Sequence, residues 1–310
     1  MRLSFSLEPS QTPSVLALGM FDGVHTGHAW LLRTAREWGV LEGLPVVVCT
    51  FLKHPMALIK PDAIPPLLST VAERAARMAQ LKVDQMAVLP FDRTWMQMTP
   101  EVFVQLLVKN YSPRHIVVGF NYSFGIGGKG DAKLLTEMGK NLGFEVHVVS
   151  PVQVDGQTVS STRVRQLLDE GDVELAARLL ERPYSVAGLV VHGKELGRKM
   201  GFPTANVAMP KGKALPDFGI YISRVKTKTG IYPAVVSLGF HPTVPEGDIT
   251  LEAHLLGHSE DLYGQKLRVV FLKRIRPEIK FDGIEALKEQ IAKDVQATKS
   301  YFHDLKENHT

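Results

Sequence analysis

Two histidines three residues apart, His25 and His28 in GMFDGVHTGHAW, have types and spacing that can do chemistry. At i, i+3 on a helix both rings reach one face, where they can bind a metal, pack or cap the helix, or hold a phosphate. A metal pair needs further ligands, and neither thiolates, an HExxH arrangement nor an evident third ligand accompanies it. The preceding SVLAL reads as a buried strand, and Gly19, Asp22 and Gly23 bend the chain into a helix beginning near Thr26 or Gly27. That succession presents backbone N–H groups to an anion, and two imidazoles at such a terminus can donate to phosphate oxygens as charge develops on them.

GIGGKG, Gly125 to Gly130, satisfies GxGxxG. A dinucleotide fingerprint starts at the strand's end, whereas NYSF intervenes here, and no acidic residue closes the next strand FEVHVVS. A glycine loop beside a nucleotide site fits better. No GxxxxGK[ST] is present, because GKELGRKMG has the glycines and cations without the spacing. GFPTAN offers Thr204 and Asn206 as oxygen ligands for a cation and phosphates, with Gly201 permitting close backbone approach; read alone it is simply a loop. ITLEAHLL alternates, which puts Thr250, Glu252 and His254 on one strand face.

The elements that must position these residues change rhythm midway. Up to about residue 150, the apolar runs SVLALG, LPVVVCTF, DQMAVLP, RHIVVGF and FEVHVVS alternate with helical periods in AWLLRTAREWG, VAERAARMAQL, PEVFVQLLVKN and DAKLLTEMGKN. Such alternation implies parallel pairing, a sheet covered on both faces, and ligands at the strands' carboxyl ends. After residue 184 SVAGLVVHG, YISRVKT, PAVVSLGF, ITLEAHLL and QKLRVVFLKRI are strand-like, TKTG is a hairpin turn, and a helical stripe returns at Ile284, Leu287, Ile291 and Val295. The fold class is therefore α/β plus β: a Rossmann-like parallel sheet, then a small antiparallel barrel or sandwich closed by a helix. STRVRQLLDEGDVELAARLLERP between them reads as two short helices, and Pro183 sets the boundary of domains 1–183 and 184–310.

The chain has 310 residues, with 36 Lys and Arg against 32 Asp and Glu and no basic run that gathers the excess. No nucleic-acid surface is indicated. The one cysteine, Cys49, sits in an apolar run, and neither a leader segment nor a membrane span is evident; a cytoplasmic protein is expected, with its oligomeric state left open.

His25-Thr26-Gly27-His28 also resembles the HxGH signature of nucleotidylyltransferases, and GMFDGVHTGHAWLL resembles the first motif of bacterial bifunctional riboflavin kinase/FAD synthetases. TFLKHP, VVGFNYSFG and SSTRVR follow in that family's order, and RPYSVAGLVVHGKELGRKMGFPTANV, GIYISRV, LGFHPT, LEAHLL, DLYG and IRPEIKFD resemble its kinase half, so the likeness spans essentially the whole chain. The resemblance implies two reactions: riboflavin and ATP give FMN, then FMN and ATP give FAD and pyrophosphate. It makes His25, His28, Asn121 and Arg165 catalytic in adenylyl transfer. Gly19, Phe21, Asp22, Gly23, Ser161, Thr162 and Arg163 would bind ATP or its phosphates, and Phe120 and Tyr122 the flavin. Read from residues alone, Asn121 is a turn former and SSTR a helix cap.

In the second half the resemblance makes PTAN, Pro203 to Asn206, the Mg²⁺ and ATP site, with Thr204 and Asn206 on the metal and Gly197, Arg198 and Lys199 over the phosphates. Glu252 would take the proton of the riboflavin 5′-hydroxyl with His254 as its neighbour, and Arg276 and Glu278 would lie on the flavin side. Two departures stand out: Lys53, before His54 and Pro55, replaces a proline, and His241-Pro242-Thr243 stands where the family has Arg-Pro-Thr. Activity of one half alone, most plausibly the kinase, a non-catalytic flavin- or nucleotide-binding regulator, and an adenylyltransferase acting on a different phosphate are the competing readings.

Overall fold

The computed structural model describes residues 1–10, 12–53, 55–193, 197, 200–240 and 249–307. The chain divides into two compact units, Met1–Ser161 and Thr162–Thr310, a division ahead of the expected boundary at Pro183.

In the first unit β1 (Arg2–Ser4), β2 (Ser14–Leu18), β3 (Val46–Phe51), β4 (Gln85–Leu89) and β5 (Pro113–Gly119) precede two short pairs. These are β6 (Ser123–Phe124) with β7 (Gly130–Asp131), and, after β8 (Glu145–Val149), β9 (Gln153–Val154) with β10 (Gln157–Thr158). The main sheet has 6 strands in the order β1-β4-β3-β2-β5-β8, with every pair parallel. Helices α1 (Thr26–Glu42), α2 (Met56–Ile59), α3 (Val71–Gln80), α4 (Arg93–Gln97), α5 (Pro100–Tyr111) and α6 (Ala132–Leu142) lie between the strands.

Because side chains alternate across a strand, β2 sends Val15 and Ala17 to one face and Leu16 and Leu18 to the other. The first pair packs with Leu32, Ala35 and Met78 of α1 and α3; the second packs with Phe103, Leu107 and Leu135 of α5 and α6. Both faces are thereby covered, which explains why the strands read as continuous apolar runs. The strand order reverses at β2 and β5, the crevice where such sheets bind ligands.

The second unit begins with α7 (Ser161–Asp169), whose first residue closes the first unit, and α8 (Val173–Leu180). Strands β11 (Ser185–Val191), β12 (Ala205–Ala208), β13 (Gly219–Lys226), β14 (Ile231–Phe240), β15 (Ile249–Leu255) and β16 (Lys266–Arg276) form a closed antiparallel barrel, β11-β12-β15-β14-β13-β16, followed by α9 (Ile284–Glu307). The turn from Thr227 to Gly230 joins β13 to β14, with Thr227 N–H donating to Gly230 O at 2.8 Å. Closure removes the exposed strand edges that a sandwich would retain. The sequence reading did not anticipate β1, the short pairs β6–β7 and β9–β10, or β12; β12 corrects the reading of PTAN as a loop, because Ala205 and Asn206 already pair with Ala253 and Glu252.

Candidate active sites in the two units

Past β2 the chain passes through left-handed backbone at Phe21 (φ 52), Gly23 (φ 79) and Val24 (φ 42). For phenylalanine and valine this costs on the order of 1–3 kcal/mol each, so neighbouring contacts must hold the loop. The Asp22 carboxylate supplies them: Oδ2 accepts from Leu68 N–H at 3.0 Å, and Oδ1 from Ser69 N–H at 3.0 Å and Ser69 Oγ at 3.1 Å. Gly23 N–H donates to Ser69 Oγ at 2.8 Å, and Ser161 Oγ donates to Asp22 O at 2.9 Å. These atoms of Asp22 and Ser161 brace the loop that leads into α1.

His25 is the N-cap of α1, its Nδ1 accepting from His28 N–H at 3.4 Å, so the capping alternative holds for this residue. An accepting Nδ1 places the ring proton on Nε2. The two rings stack with centroids 3.7 Å apart and planes at 18°, and a Cβ at Gly27 would come within 3.3 Å of His25. Burial pulls the His28 pKa well below the histidine norm, with the charges of His25 and Arg74 acting in the same direction. Its ring is therefore neutral at neutral pH, and its Nδ1 is buried without a hydrogen-bond partner. An unfolded chain accepts a proton on this ring at ordinary pH, whereas the fold refuses it. Stability is thus lost as pH falls below about 6.5 toward the lowered folded value. The unfolding temperature is expected to drop between about pH 7 and pH 5, and His28→Gln to make that drop shallower in thermal scans.

Sequence reasoning missed Arg74, on α3. It is buried, and its Nη1 donates to Met20 O (3.0 Å), Thr50 Oγ1 (3.0 Å) and Phe51 O (3.1 Å), while Nε and Nη2 have no hydrogen-bond partner. A cation is thus fixed where the loop after β2 meets the end of β3.

At the carboxyl ends of β2, β3 and β5 lies a cavity of about 460 Å³. Gly19, Phe21, His28, Asn121 and Tyr122 line it, with Phe51, Trp95 and Phe103 as aromatic wall and Gly125, Gly127 and Gly128 at its edge. The glycine loop is thus brought beside the site. Gly125 requires its left-handed φ of 72, and a Cβ there would lie 2.8 Å from the Pro100 ring. Phe120 is half exposed and stands outside the residues that line the cavity. Thr162, Arg163 and Arg165 lie on α7 in the second unit. Lys53 is exposed, and His54 lies outside the described residues.

In the second unit a cavity of about 530 Å³ is lined by Gly197, Thr204, Asn206, Glu252, Arg276 and Glu278. Thr204 Oγ1 donates to Glu252 Oε2 at 3.1 Å, joining motifs 48 residues apart. Asn206 faces Glu252 across the β12–β15 pair, and a Cβ at Gly193 would fall 2.2 Å from Asn206 Nδ2. His254 bonds through Nδ1 to Pro203 O at 2.8 Å, which fixes the PTAN segment. Pro203 does not line this cavity but a neighbouring recess of about 110 Å³. Gly197 O accepts from Met200 N–H at 3.1 Å and Phe202 N–H at 2.8 Å, a tight turn with no room for a side chain, since a Cβ would meet Phe202 O at 2.4 Å. Arg198, Lys199 and His241 to Thr243 lie outside the described residues.

The flavin-side expectation for Arg276 is modified by its partner. Its Nη2 donates to Asp294 Oδ2 at 2.7 Å and its Nε to Asp294 Oδ1 at 3.2 Å, in a nearly buried pair that Gln290 joins at 3.0 Å. Arg276 therefore ties the end of β16 to α9. Ile284, Leu287 and Ile291 of α9 and Phe240 and Phe281 complete an apolar wall, and Glu278 lies over Gly239. A flat apolar molecule with one hydroxyl near Glu252 matches this mixture of walls and polar floor.

A family profile for FAD synthetase matches residues 7–163, and one for riboflavin kinase matches residues 180–302. The bifunctional riboflavin kinase/FMN adenylyltransferase of Escherichia coli (strain K12) is 38% identical over 301 residues, covering 94% of this chain and 95% of that protein. The enzyme of the same description from Bacillus subtilis (strain 168) is 33% identical over 305 residues, covering 97% and 96%. A crystal structure from Streptococcus pneumoniae, described as a macrolide-efflux protein, is similar with a TM-score of 0.89 and 31% identity over 96% of this chain and 99% of that one. Among the described residues no helix is long and apolar enough to cross a membrane.

Proposed function

We propose the following division of labour for a chain that belongs to the family of bifunctional riboflavin kinase/FMN adenylyltransferases. The enzyme phosphorylates riboflavin with ATP to FMN and adenylylates FMN with ATP to FAD and pyrophosphate. We assign residues 1–183 to the second reaction and 184–310 to the first.

In the barrel unit, Glu252 takes the proton of the riboflavin 5′-hydroxyl as that oxygen attacks the γ-phosphorus and ADP departs. The observation that carries this reading is the Thr204–Glu252 hydrogen bond inside an apolar-walled cavity. Thr204 donates a hydrogen bond to the carboxylate and keeps its oxygen lone pairs, and Asn206 adds a carbonyl oxygen. That oxygen set fits a hard cation, and Mg²⁺ is the ion we assign. Thr204 and Asn206 would hold the ion beside ATP, where it would offset charge on the phosphates. Gly197, with Arg198 and Lys199, covers the phosphates; Arg276 and Glu278 shape the flavin end. His254 positions Pro203 and is not the base.

In the α/β unit an FMN phosphate oxygen attacks the α-phosphorus of ATP and pyrophosphate leaves, a step that needs alignment and charge stabilisation. His28, with Asn121, donates to the transferring phosphate; His25 holds the helix terminus and presents Nε2–H. Gly19 and Gly23 let the backbone approach the phosphates. We retain Thr162, Arg163 and Arg165 as a pyrophosphate clamp, and Tyr122 beside the flavin. A cytoplasmic setting suits the thiol of Cys49, whose pKa burial pushes up to about 12. We assign no nucleic-acid partner.

Separation of flavins after incubation with riboflavin and Mg-ATP tests both halves at once. FMN and then FAD are expected, with His28→Ala halting the sequence at FMN. Unchanged FAD formation by that variant would remove His28 from the site.

A further inference from the structure

The amino-terminal ends of β5 and β8 carry a second cluster of ligating side chains. His115 pairs in register with Glu145, and Glu145 and His147, two residues apart, share that face. His115 Nδ1 lies 3.0 Å from His147 Nε2 and 3.9 Å from Glu145 Oε2. The three ligand atoms all fall within 4.8 Å of one another. The Trp38 ring stacks on both imidazoles, with centroids 4.5 Å from His115 and 4.4 Å from His147. Glu42, four residues further along α1, has Oε1 3.0 Å from His115 Nε2, a buried nitrogen that makes no aligned hydrogen bond.

We propose that His115, His147 and Glu145 bind a divalent transition-metal ion of the Zn²⁺ class, with Glu42 orienting His115 from behind. Two imidazole nitrogens and a carboxylate oxygen with one position left for water are a donor set that suits such an ion and not a purely oxygen-seeking one. Metal–nitrogen bonds of about 2.0–2.1 Å at tetrahedral angles separate two nitrogens by about 3.4 Å, so the imidazole pair has to open only slightly. With its proton on Nε2, 3.0 Å from Glu42 Oε1, the His115 ring turns its Nδ1 lone pair toward His147. A small rotation of the Glu42 carboxylate on metal binding would align the carboxylate–histidine–metal arrangement that fixes ring and tautomer together. Trp38 keeps the ring planes in place on one side, while Glu145 is exposed and offers the entry path.

This site is distinct from the adenylyl cavity. Gly119, which lines that cavity, is four residues along β5 from His115, or about 13 Å at strand rise. Its effect is structural: it links β8, an edge of the sheet, through β5 to α1.

Zn²⁺ calorimetry and Co²⁺ absorption on chelator-treated full-length protein, without nucleotide, test the site. One Zn²⁺ per chain is expected, with visible bands of four-coordinate Co²⁺ and a Zn²⁺-dependent rise in unfolding temperature. His147→Ala should weaken uptake at least about 100-fold, and Glu42→Gln, which removes no ligand, about 10-fold. His303→Ala, in the exposed His303, Asp304 and Glu307 group, should leave this uptake unchanged. Retention of FAD formation by His147→Ala verifies its fold. Wild-type affinity in that variant, or no saturable Zn²⁺ uptake by the unaltered protein, would overturn the proposal.

Discussion

Glu252→Gln is expected to lower riboflavin phosphorylation by about 10³-fold while FAD formation from supplied FMN stays at its original rate. Glutamine keeps the shape of the side chain and an oxygen to accept the Thr204 hydroxyl proton, so the floor of the cavity is preserved. It cannot accept a proton from the substrate. The loss should therefore fall on kcat, with the KM for riboflavin little changed because the walls from β14, α9 and the Phe281 segment are untouched. Separate assays of the two half-reactions read this directly. A kcat within tenfold of the original would show that the carboxylate only positions Thr204.

Arg74→Met is expected to lower FAD formation by about 10²–10³-fold and to lower the unfolding temperature of the first unit. Methionine fills much of the space but removes the Arg74 donor from Phe51 O and from Met20 O, which keeps only the Thr50 hydroxyl at 2.9 Å; a buried carbonyl left unsatisfied costs about 1–3 kcal/mol. Burial draws the Arg74 pKa down, whereas Asp22 holds it up. The loop before His28 thus loses both a brace and a positive charge. Arg74→Lys separates these effects: it restores the charge without the three-way fork, because an ammonium does not reproduce guanidinium geometry. Melting curves beside single-turnover FAD formation distinguish the outcomes. A destabilised Arg74→Met that turns over normally at low temperature would confine Arg74 to bracing.

The parallel sheet and the barrel were legible because burial on both faces produces unbroken apolar runs, and half-buried barrel strands alternate. Strand β12 escaped notice because ANVA is short and follows a proline, with its pairing supplied by distant Ala253 and Glu252. Arg74 escaped because VAERAARMAQL looks like a charged solvent face. The signal was nonetheless present: Arg74 stands three residues after Val71 and four before Met78, on the apolar stripe itself. Asp294 sits likewise three residues beyond Ile291 on the stripe of α9. A charge on an apolar stripe has to find a partner inside, which Arg276 and the carbonyls beside Arg74 provide. Phe120 and Tyr122 could not be told apart by type. Past β5 the two, separated by Asn121, diverge: Tyr122 lines the cavity, whereas Phe120 is half exposed outside that lining.

Helix α9 supplies the last wall of the riboflavin cavity, and β11 finds its barrel partner β16 only after some eighty residues, Ser185 pairing with Val270. During synthesis from the amino end, the adenylyl cavity has all its lining residues by Gly128, whereas the kinase cavity still awaits Asp294. On the assignment proposed above, the reaction that comes first in the chemistry is the one whose pocket the ribosome finishes last. On that assignment, a chain that ends between Arg165 and Asp294 carries the residues that consume FMN without the complete cavity that makes it.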